Sequence, residues 1–575
     1  MEQQAGVSPA AAVSGHDDRA VDRIADRFLD DLLRADPVAA TRVGDHRWDD
    51  RLPDLSEQGR AQAESSYRTA VDEMEGIPPE GLGDEARITR EVVIICGRNL
   101  LDFVAGKPYQ LAVDHQDGIQ NLPTEVARYH SAQTDDGLES LLSRYSAFPM
   151  LVQQHVQGLR EGLEEGRTSP GTIVDRTIGA VDELLATSGE SSPIIELLHI
   201  EVGESRKRVA GAVDRWILPA LASFRAFLAN EYQPHARQEA GLWATPGGES
   251  VYRSAIKLWT TLDLEPQEIH LIGLEEVERI KAEMEDLARQ LGYPDRRTAR
   301  KALAETPPAE PEQLLEMARS QVRSASLAAV RWFTHMPAQP CAVAPVEPFR
   351  QAVDAGASYF PGTADGSRPG TYFLNAARAA WIPTWLLPAL SFHETVPGHH
   401  LQSAIELERK DASRFRRIGS SVRYDILSGF SEGWGLYAER LADEMGLYQT
   451  PQERFGMLEA QDGRAQRLVL DTGIHALGWT RETAVGWMVE ADDGVTPREL
   501  AEQVLDRYIA WPAQALSYKL GQRVIEAARR QAAEELGSEF DLRVFHDEVI
   551  GHGSIPLPIL TGEIVRWMRL SATHR

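Results

Sequence analysis

Residues 391–400 restrict the folding of this 575-residue chain more than any other segment. They directly follow the apolar run 381–390, and four of them carry imidazole or carboxylate groups: His393, Glu394, His399 and His400. Pro397 lacks an N–H and its ring clashes with the carbonyl of His393, so a regular helix cannot pass through it. Gly398 tolerates the dihedral angles of a break. The chain is therefore expected to form a helix, a break and a second helical segment.

The break decides which histidine can share a metal ion with His393. On a regular helix, His399 lies about 120° round from His393, and His400 lies roughly 10 Å further along the axis. Two imidazoles on one zinc ion need their nitrogens within about 3.5 Å. A two-residue bulge at 396–397 would return His399 to the second ligand position of a compact His-Glu-x-x-His motif.

We therefore predict His393 and His399 as zinc ligands, with Glu394 as the general base. His400 is predicted to contact a ligand or the substrate. The alternative is three ordinary surface histidines beside a Pro-Gly turn.

A second motif, residues 430–439, supplies a third candidate ligand. Two histidines and one glutamate are a known ligand set for catalytic zinc, and they leave one position open for water. Glu432 and Glu439 share a helical face, and the small Gly433 and Gly435 allow close packing against the histidine helix. The flanking aromatic residues favour a buried helix, where a carboxylate needs a cation. Glu432 is therefore the predicted third ligand, and a solvated helix carboxylate is the alternative.

Together the two motifs resemble the bacterial family called domain of unknown function 885. Further segments carry the same resemblance, which covers nearly the whole chain: 40–44, 365–370, 471–475, 515–522 and 540–546. The family is similar in turn to the gluzincin metallopeptidases. Residues 432–434 resemble the Glu-Gly-Phe segment of the aminopeptidase N family, which carries its third zinc ligand. Residues 393–399 resemble the His-Glu-Thr-Gly-His of the carboxypeptidase Taq family, with two residues inserted.

Charge and composition exclude several other classes of protein. The formal net charge of −27 argues against binding nucleic acid or an anionic membrane through a general field. Cys96 and Cys341 are the only cysteines, so neither a disulfide framework nor a thiolate zinc site is expected. Residues 1–18 do not have the pattern of a secretion signal, and no apolar run approaches the length of a membrane span. The expected location is cytoplasmic.

Apolar spacing predicts a mainly α-helical fold. The predicted helices are 21–33, 138–156, 178–185, 204–232, 264–291, 312–323, 386–408, 426–445, 453–477, 481–490, 497–510 and 516–536. Residues 1–18 are predicted to be a disordered lead, 19–305 a helical region and 306–575 the metal-binding catalytic region, continuous with the preceding part. Residues 341–346 and 357–360 are predicted short strands. Residues 357–373 could hold an extended peptide by strand addition, or form a hairpin that only closes the cleft.

Four further residues are candidates for contact with the substrate. Arg368 could clamp a substrate carboxylate, or bond Asp365 or a neighbouring loop. His475 could donate to an oxyanion, or pair with a carboxylate such as Asp471. Tyr518 could be the oxyanion donor that gluzincin-like enzymes carry opposite the zinc, or a packed aromatic residue. Lys519 could bind a substrate carboxylate.

The sequence thus predicts a hydrolase with one Zn²⁺ per chain, most simply a peptidase acting on small peptides or peptide-like amides. The ligands alone would also accept other divalent first-row metals. A metal-dependent enzyme acting on a non-peptide metabolite is the alternative, and a binding protein that has the metal fold without turnover is a third. The sequence does not define the oligomeric state.

Overall fold

Amphipathic helices form most of the molecule, which confirms the mainly α-helical prediction. The computed structural model describes residues 9–198, 200, 203–347, 351, 356–364 and 366–573. The α-helices that precede the sheet are α1 Pro9–Ala35, α2 Pro37–Arg42, α3 Glu57–Glu75, α4 Asp84–Ala105, α5 Leu122–Tyr129, α6 Asp135–Glu164, α7 Gly171–Leu185, α8 Pro193–Leu197, α9 Glu204–Ala212, α10 Leu218–Phe227, α11 Gly248–Thr260, α12 Pro266–Gln290, α13 Arg296–Ala304 and α14 Pro311–Ala329.

The remaining α-helices follow the sheet. They are α15 Leu387–Glu394, α16 His399–Glu408, α17 Arg414–Val422, α18 Ser428–Glu444, α19 Pro451–His475, α20 Arg481–Ala491, α21 Arg498–Ala510, α22 Ser517–Leu536, α23 Leu542–Ile550 and α24 Leu557–Thr573. Two π-helical turns, Val213–Ile217 and Leu228–Tyr232, flank α10. The predicted helix 204–232 is therefore one helical path with local widening.

Helix α1 begins before the position that the sequence predicted. Residues 9–18, assigned to a disordered lead, belong to this helix, and residues 1–8 lie outside the described residues. Its buried face, with Val21, Phe28 and Leu32, is the face that the apolar spacing predicted. The helix extends further than its apolar face because alanine-rich turns continue a helix without needing core contacts.

The two predicted strands are part of a three-stranded sheet with the order β1-β3-β2. Strand β1, Ala342–Pro345, pairs in parallel with β3, Thr371–Leu374, and β2, Ala357–Phe360, pairs antiparallel with β3. Strand β3 is therefore the central strand, and its backbone is paired on both sides. Of the segment 357–373 predicted to receive a peptide, only β2 offers an edge.

The largest buried apolar cluster joins the two ends of the chain. It combines residues of α1 and α4 near the amino terminus with residues of α18, α22 and α24. A second cluster is formed mainly by residues 113–232. The loop between α13 and α14 therefore does not separate two independent cores. Among the described residues, no helix has the length and apolarity needed to cross a membrane.

Close backbone contacts fix the helices that carry the second motif. A Cβ atom on Gly433 of α18 would lie 2.5 Å from the Cα of Gly521 on α22. One on Gly521 would lie 1.9 Å from the carbonyl oxygen of Gly429. Gly433 therefore packs against α22 and not against the histidine helix, which corrects the sequence interpretation. Such contact between two backbones is possible only where side chains are absent.

Candidate metal centre

The predicted break separates α15 from α16. Helix α15 ends at Glu394, and Thr395 leaves helical geometry with φ −119° and ψ −108°. The N–H of Gly398 donates to the carbonyl of Phe392 at 3.0 Å, and α16 then begins at His399. A Cβ atom on Gly398 would lie 1.9 Å from the carbonyl oxygen of His393, so only glycine fits the return of the chain.

This return brings three side chains together as the sequence predicted. Potential ligand atoms of His393, His399 and Glu432 all lie within 4.8 Å of one another. Oε2 of Glu432 is 3.3 Å from Nε2 of His393 and 3.5 Å from Nε2 of His399. These are the separations expected between ligands around one tetrahedral zinc ion, about 3.3–3.5 Å for bonds of about 2.0–2.1 Å. The three side chains therefore form a candidate zinc site, in which both pairs that include Glu432 have the separation expected of zinc ligands.

The electrostatics of the trio favour a cation at its centre. Burial raises the pKa of Glu432, but hydrogen bonds from His393 and His399 outweigh it and hold this pKa well below its usual range. Burial lowers the pKa of His393, while its bonds to Glu432 and Glu439 raise it to about 10. A buried carboxylate thus holds an imidazole proton, which a metal ion would displace on binding.

A second group of side chains holds His393 in place from behind. Nδ1 of His393 is 2.9 Å from Oε1 of Glu439, and Gln461 donates to Oε2 of Glu439 at 3.0 Å. Arg464 lies 3.7 Å from the same carboxylate. A carboxylate on the far nitrogen of a ligating histidine fixes its tautomer and ring orientation. From the sequence, Glu439 is identified only as a residue on the same helical face as Glu432. The spacing between these two glutamates is the signal from which its contact with His393 could have been predicted.

Lys519 belongs to this supporting group and not to a substrate surface. It is fully buried, and its ammonium donates to Gln461 at 2.9 Å and to Gln522 at 2.6 Å. Burial lowers the pKa of Lys519 to about 7. The predicted substrate contact is therefore wrong in this structure, since no surface of Lys519 is left for a ligand.

The absence of a side chain at Gly435 leaves space for the imidazoles of His393 and His399. A Cβ atom there would lie 2.8 Å from Cε1 of His393 and 3.0 Å from Cε1 of His399. This close approach is the one that the sequence predicted for Gly435. Any side chain at this position would push the histidines from their present positions.

We expect Gly435→Ala to weaken zinc binding by roughly 10- to 100-fold, the cost typical of disturbing the groups around metal ligands. The measurement is a competition titration against a chelator of known zinc affinity. Gly463→Ala is the matched control, because a Cβ atom on Gly463 meets nothing within 4 Å. Equal zinc affinities for the two variants would contradict the contact argued for Gly435.

Glu394 and Tyr518 are the two predicted catalytic residues that adjoin the trio. Burial raises the pKa of Glu394, which is also influenced by the charges of His393, His399 and Glu432. Within the described part of the chain, the carboxylate of Glu394 has neither a hydrogen bond nor an ion pair. The ring of Tyr518 stacks on His393 with centroids 6.3 Å apart, and Gln514 donates to its hydroxyl at 3.3 Å.

His400 points away from the trio, towards the sheet. Its Nδ1 is 3.1 Å from the hydroxyl of Tyr359 on β2, and its Nε2 is 3.0 Å from the carbonyl of Gln339. Burial lowers the pKa of His400, so the neutral ring donates from Nε2 and accepts at Nδ1. His400 therefore joins α16 to the sheet, and its contact with a substrate stays a prediction.

Arg368 bonds a neighbouring loop, one of the alternatives that the sequence left open. Its Nη2 donates to the carbonyl of Arg42 at 2.7 Å, and its guanidinium lies 5.3 Å from the ring centroid of Tyr129. Asp365, the other partner considered, lies outside the described residues. A role for Arg368 in binding a substrate carboxylate stays a prediction.

His475 has neither of the partners that the sequence suggested. Its Nδ1 accepts from the N–H of Leu242 at 3.3 Å, and its Nε2 donates to the carbonyl of Tyr508 at 2.9 Å. Burial lowers the pKa of His475 to about 3, so the ring is neutral. Asp471 instead accepts from Tyr252 at 2.5 Å. With both ring nitrogens bonded to the backbone, His475 has no N–H left for an oxyanion.

Comparison with known proteins identifies the family but not an activity. The chain belongs to the family of bacterial proteins of unknown function called DUF885, whose sequence profile matches residues 37–564. This confirms the family predicted from the two motifs. No curated protein matches the chain.

Two solved structures are similar over almost their whole length. A candidate lipoprotein from Colwellia psychrerythraea has a TM-score of 0.89 and 26% identity, and the alignment covers 96% of this chain and 99% of that one. A candidate lipoprotein of unknown function from Shewanella oneidensis has a TM-score of 0.72 and 18% identity, over 95% and 99% of the two chains. The second likeness shows the fold alone.

Proposed function

We propose that this DUF885 protein is a zinc-dependent hydrolase that cleaves small peptides or peptide-like amides. The observation that carries the proposal is the geometry of His393, His399 and Glu432, whose ligand atoms lie within 4.8 Å of one another, with Oε2 of Glu432 at 3.3 and 3.5 Å from the two imidazoles. A purely structural zinc site usually has four protein ligands, whereas a catalytic site has three and an open position. The adjacent unpaired carboxylate of Glu394 supports catalysis further.

The chain's own residues account for the proton transfers of amide hydrolysis. When bound, zinc supplies Lewis-acid polarisation and makes water more acidic. Glu394 takes a proton from the attacking water and returns it to the nitrogen of the leaving amine. Tyr518, whose hydroxyl accepts from Gln514, keeps its own proton to donate to the developing oxyanion. Glu439 keeps His393 oriented throughout.

A peptide substrate also fits the sheet beside the metal helix. Strand β2 is an edge strand, and its Tyr359 contacts His400 at the start of α16. An extended peptide could pair with such an edge, and the side chains near it would then select the substrate. The resemblance to gluzincin metallopeptidases points to the same class of substrate.

The test combines metal content with a digest of defined peptides. Purified protein should carry about one zinc ion per chain, measured by mass spectrometry of the metal. It should cleave a synthetic peptide pool, and metal-depleted protein should not until zinc is restored. Protein that stays metal-free after expression with added zinc would overturn the zinc site. Zinc-loaded protein that cleaves no peptide would favour the non-peptide metabolite as substrate.

We propose a cytoplasmic location, with no membrane or nucleic-acid partner. The two similar structures are described as candidate lipoproteins, so the cell envelope is the alternative location. Immunoblotting of fractionated cells distinguishes the two, and recovery in the membrane fraction would contradict the cytoplasmic proposal.

A further inference from the structure

Arg467 on α19 lies beside the candidate metal centre without a carboxylate partner. Its guanidinium lies 4.4 Å from the ring centroid of Tyr518 and 5.9 Å from that of Tyr508. Its Nη1 is buried and has no hydrogen-bond partner among the described residues. No described carboxylate lies within ion-pair distance of it. Burial lowers the pKa of Arg467, but Tyr508, Tyr518 and Glu432 raise it, Tyr518 partly through a side-chain hydrogen bond.

The fully buried arginines Arg144 and Arg300 have hydrogen-bond partners, whereas Arg467 is half-buried. Arg144 donates to the carbonyl of Arg51 at 2.7 Å and to that of Trp48 at 2.9 Å. Arg300 contacts Glu459 at 2.8 Å and Asp493 at 3.0 Å. A guanidinium stays charged at any ordinary pH, and leaving it unpaired in the interior is costly. Arg467 therefore differs from arginines that support the fold.

The balance of charge around Arg467 favours an anionic ligand. Glu439 is matched by Arg464. Glu432, the carboxylate whose charge acts on Arg467, is also hydrogen-bonded to His393 and His399 and would be a ligand of the zinc ion. A bound carboxylate would supply the counter-charge that Arg467 lacks. A guanidinium is also the group best shaped for a carboxylate, through two parallel hydrogen bonds.

We propose that Arg467 binds a carboxylate of the peptide substrate, close to the amide that is cleaved. The inference rests on the proposed function and adds the substrate's recognition group. The carboxylate is either the carboxyl terminus or the side chain of an aspartate or glutamate. Hydrolysis breaks the amide C–N bond, adds the hydroxyl of water to the carbonyl carbon and leaves a proton on the amine.

Distances limit where this carboxylate lies in the peptide. The ring centroid of Tyr518 lies 4.4 Å from the guanidinium of Arg467 and 6.3 Å from the ring centroid of His393, so Arg467 lies no further from the ring of His393 than these two distances combined. An extended residue spans about 3.3–3.6 Å. The hydrogen bonds between the guanidinium and the substrate carboxylate span part of the distance between Arg467 and the metal ligands. The recognised carboxylate therefore lies at most about two residues from the cleaved amide.

Three synthetic pentapeptide pools distinguish the two sources of the carboxylate. The first pool has a carboxyl terminus and no Asp or Glu, the second is its C-terminal amide, and the third is an amide pool that contains Asp and Glu. We expect wild-type enzyme to consume either the first or the third pool about 10- to 100-fold faster than the second. This factor corresponds to losing hydrogen bonds to one charged group.

Variants at Arg467 assign that preference to its guanidinium. Arg467→Met should remove the preference between pools, and Arg467→Lys should retain part of it. The melting temperature of Arg467→Met should be unchanged or raised, because the substitution removes a half-buried charge that has no carboxylate partner among the described residues. Arg454→Met, on the same helix but paired at the surface with Asp443, is the matched control and should keep the preference.

A binding measurement makes the test independent of turnover. Zinc-loaded Glu394→Gln protein is dialysed against the same pools, and the retained peptides are identified by mass spectrometry. Two results together support the inference: the Glu394→Gln protein retains peptides with the carboxylate, and the Glu394→Gln/Arg467→Met double variant does not. If wild-type protein cleaves no pool, the proposed peptidase function fails, and dialysis still decides the role of Arg467.

Two results would overturn the inference. The first is equal consumption and equal retention of all three pools by protein that has Arg467. The second is an equal loss of rate on every pool in Arg467→Met, which would mean that the side chain only positions Tyr518 or Glu432. Neither result would remove the zinc site or the general base.

Discussion

His393→Ala and His399→Ala proteins should both lose zinc, whereas His400→Ala protein should keep it. The nitrogens of the first two histidines converge on Oε2 of Glu432, while both nitrogens of His400 are engaged by Tyr359 and Gln339. Losing a ligand should cost more than the roughly 10- to 100-fold in affinity typical of the surrounding groups. Zinc per chain after dialysis against a weak chelator is the measurement, and Glu432→Ala should behave like the two ligand variants.

The comparison needs a control for folding, because His400 joins α16 to the sheet. Circular dichroism and the melting temperature of each variant show whether metal loss has a local cause. The assignment of His399 is overturned if His399→Ala protein stays loaded and His400→Ala protein becomes metal-free. The zinc-hydrolase proposal would survive that result with a different second ligand.

Local rules were sufficient to predict the histidine half of the site. Pro397 forbids a continuous helix and Gly398 permits the return, so the position of His399 follows from covalent geometry within a few residues. Glu432 could be predicted because a carboxylate on an apolar helix needs a cation. In both cases a short segment of sequence is sufficient, without knowledge of how distant helices pack.

Helical geometry could have corrected one of the wrong assignments. Successive residues of a helix point about 100° apart, so Tyr518 and Lys519 cannot both face one site. In the structure Tyr518 stacks on His393, and Lys519 turns to Gln461 and Gln522. The helical periodicity used to predict this helix therefore also predicts that only one of these two residues faces the site.

The other differences depend on contacts between distant segments. His475 bonds the carbonyl of Tyr508 on α21 and the N–H of Leu242. Both partners are distant in sequence from α19, so the sequence of α19 does not predict them. Strand β3 is central because both β1 and β2 pair with it, and pairing partners are not encoded by one strand alone. Arg467 is recognisable only after the packing is known, because a missing partner leaves no pattern in the sequence.

Glu394→Gln should keep the zinc and the fold but lower turnover by roughly 10²–10⁴-fold or more, the contribution of a general acid–base residue. The amide has the shape of the carboxylate, so the packing at the end of α15 is preserved, but it cannot accept the proton of the attacking water. The expected defect is in kcat, because the substitution removes a proton acceptor and leaves Arg467 and the sheet edge intact. Initial rates on the peptide pool, with zinc content measured on the same sample, give the result.

Glu268→Gln is the matched control, since Glu268 is exposed on α12 and the substitution removes one negative charge from a residue outside the trio. The Glu268→Gln protein should hydrolyse the peptide pool at the wild-type rate. That result would show that the loss of turnover in Glu394→Gln comes from the position of the removed carboxylate and not from the change in net charge. A Glu394→Gln protein that is fully loaded with zinc and still hydrolyses at the wild-type rate would show that Glu394 is not the base. The proton would then have to reach another acceptor, and the trio would remain as a metal site whose chemistry does not depend on the carboxylate at the end of α15.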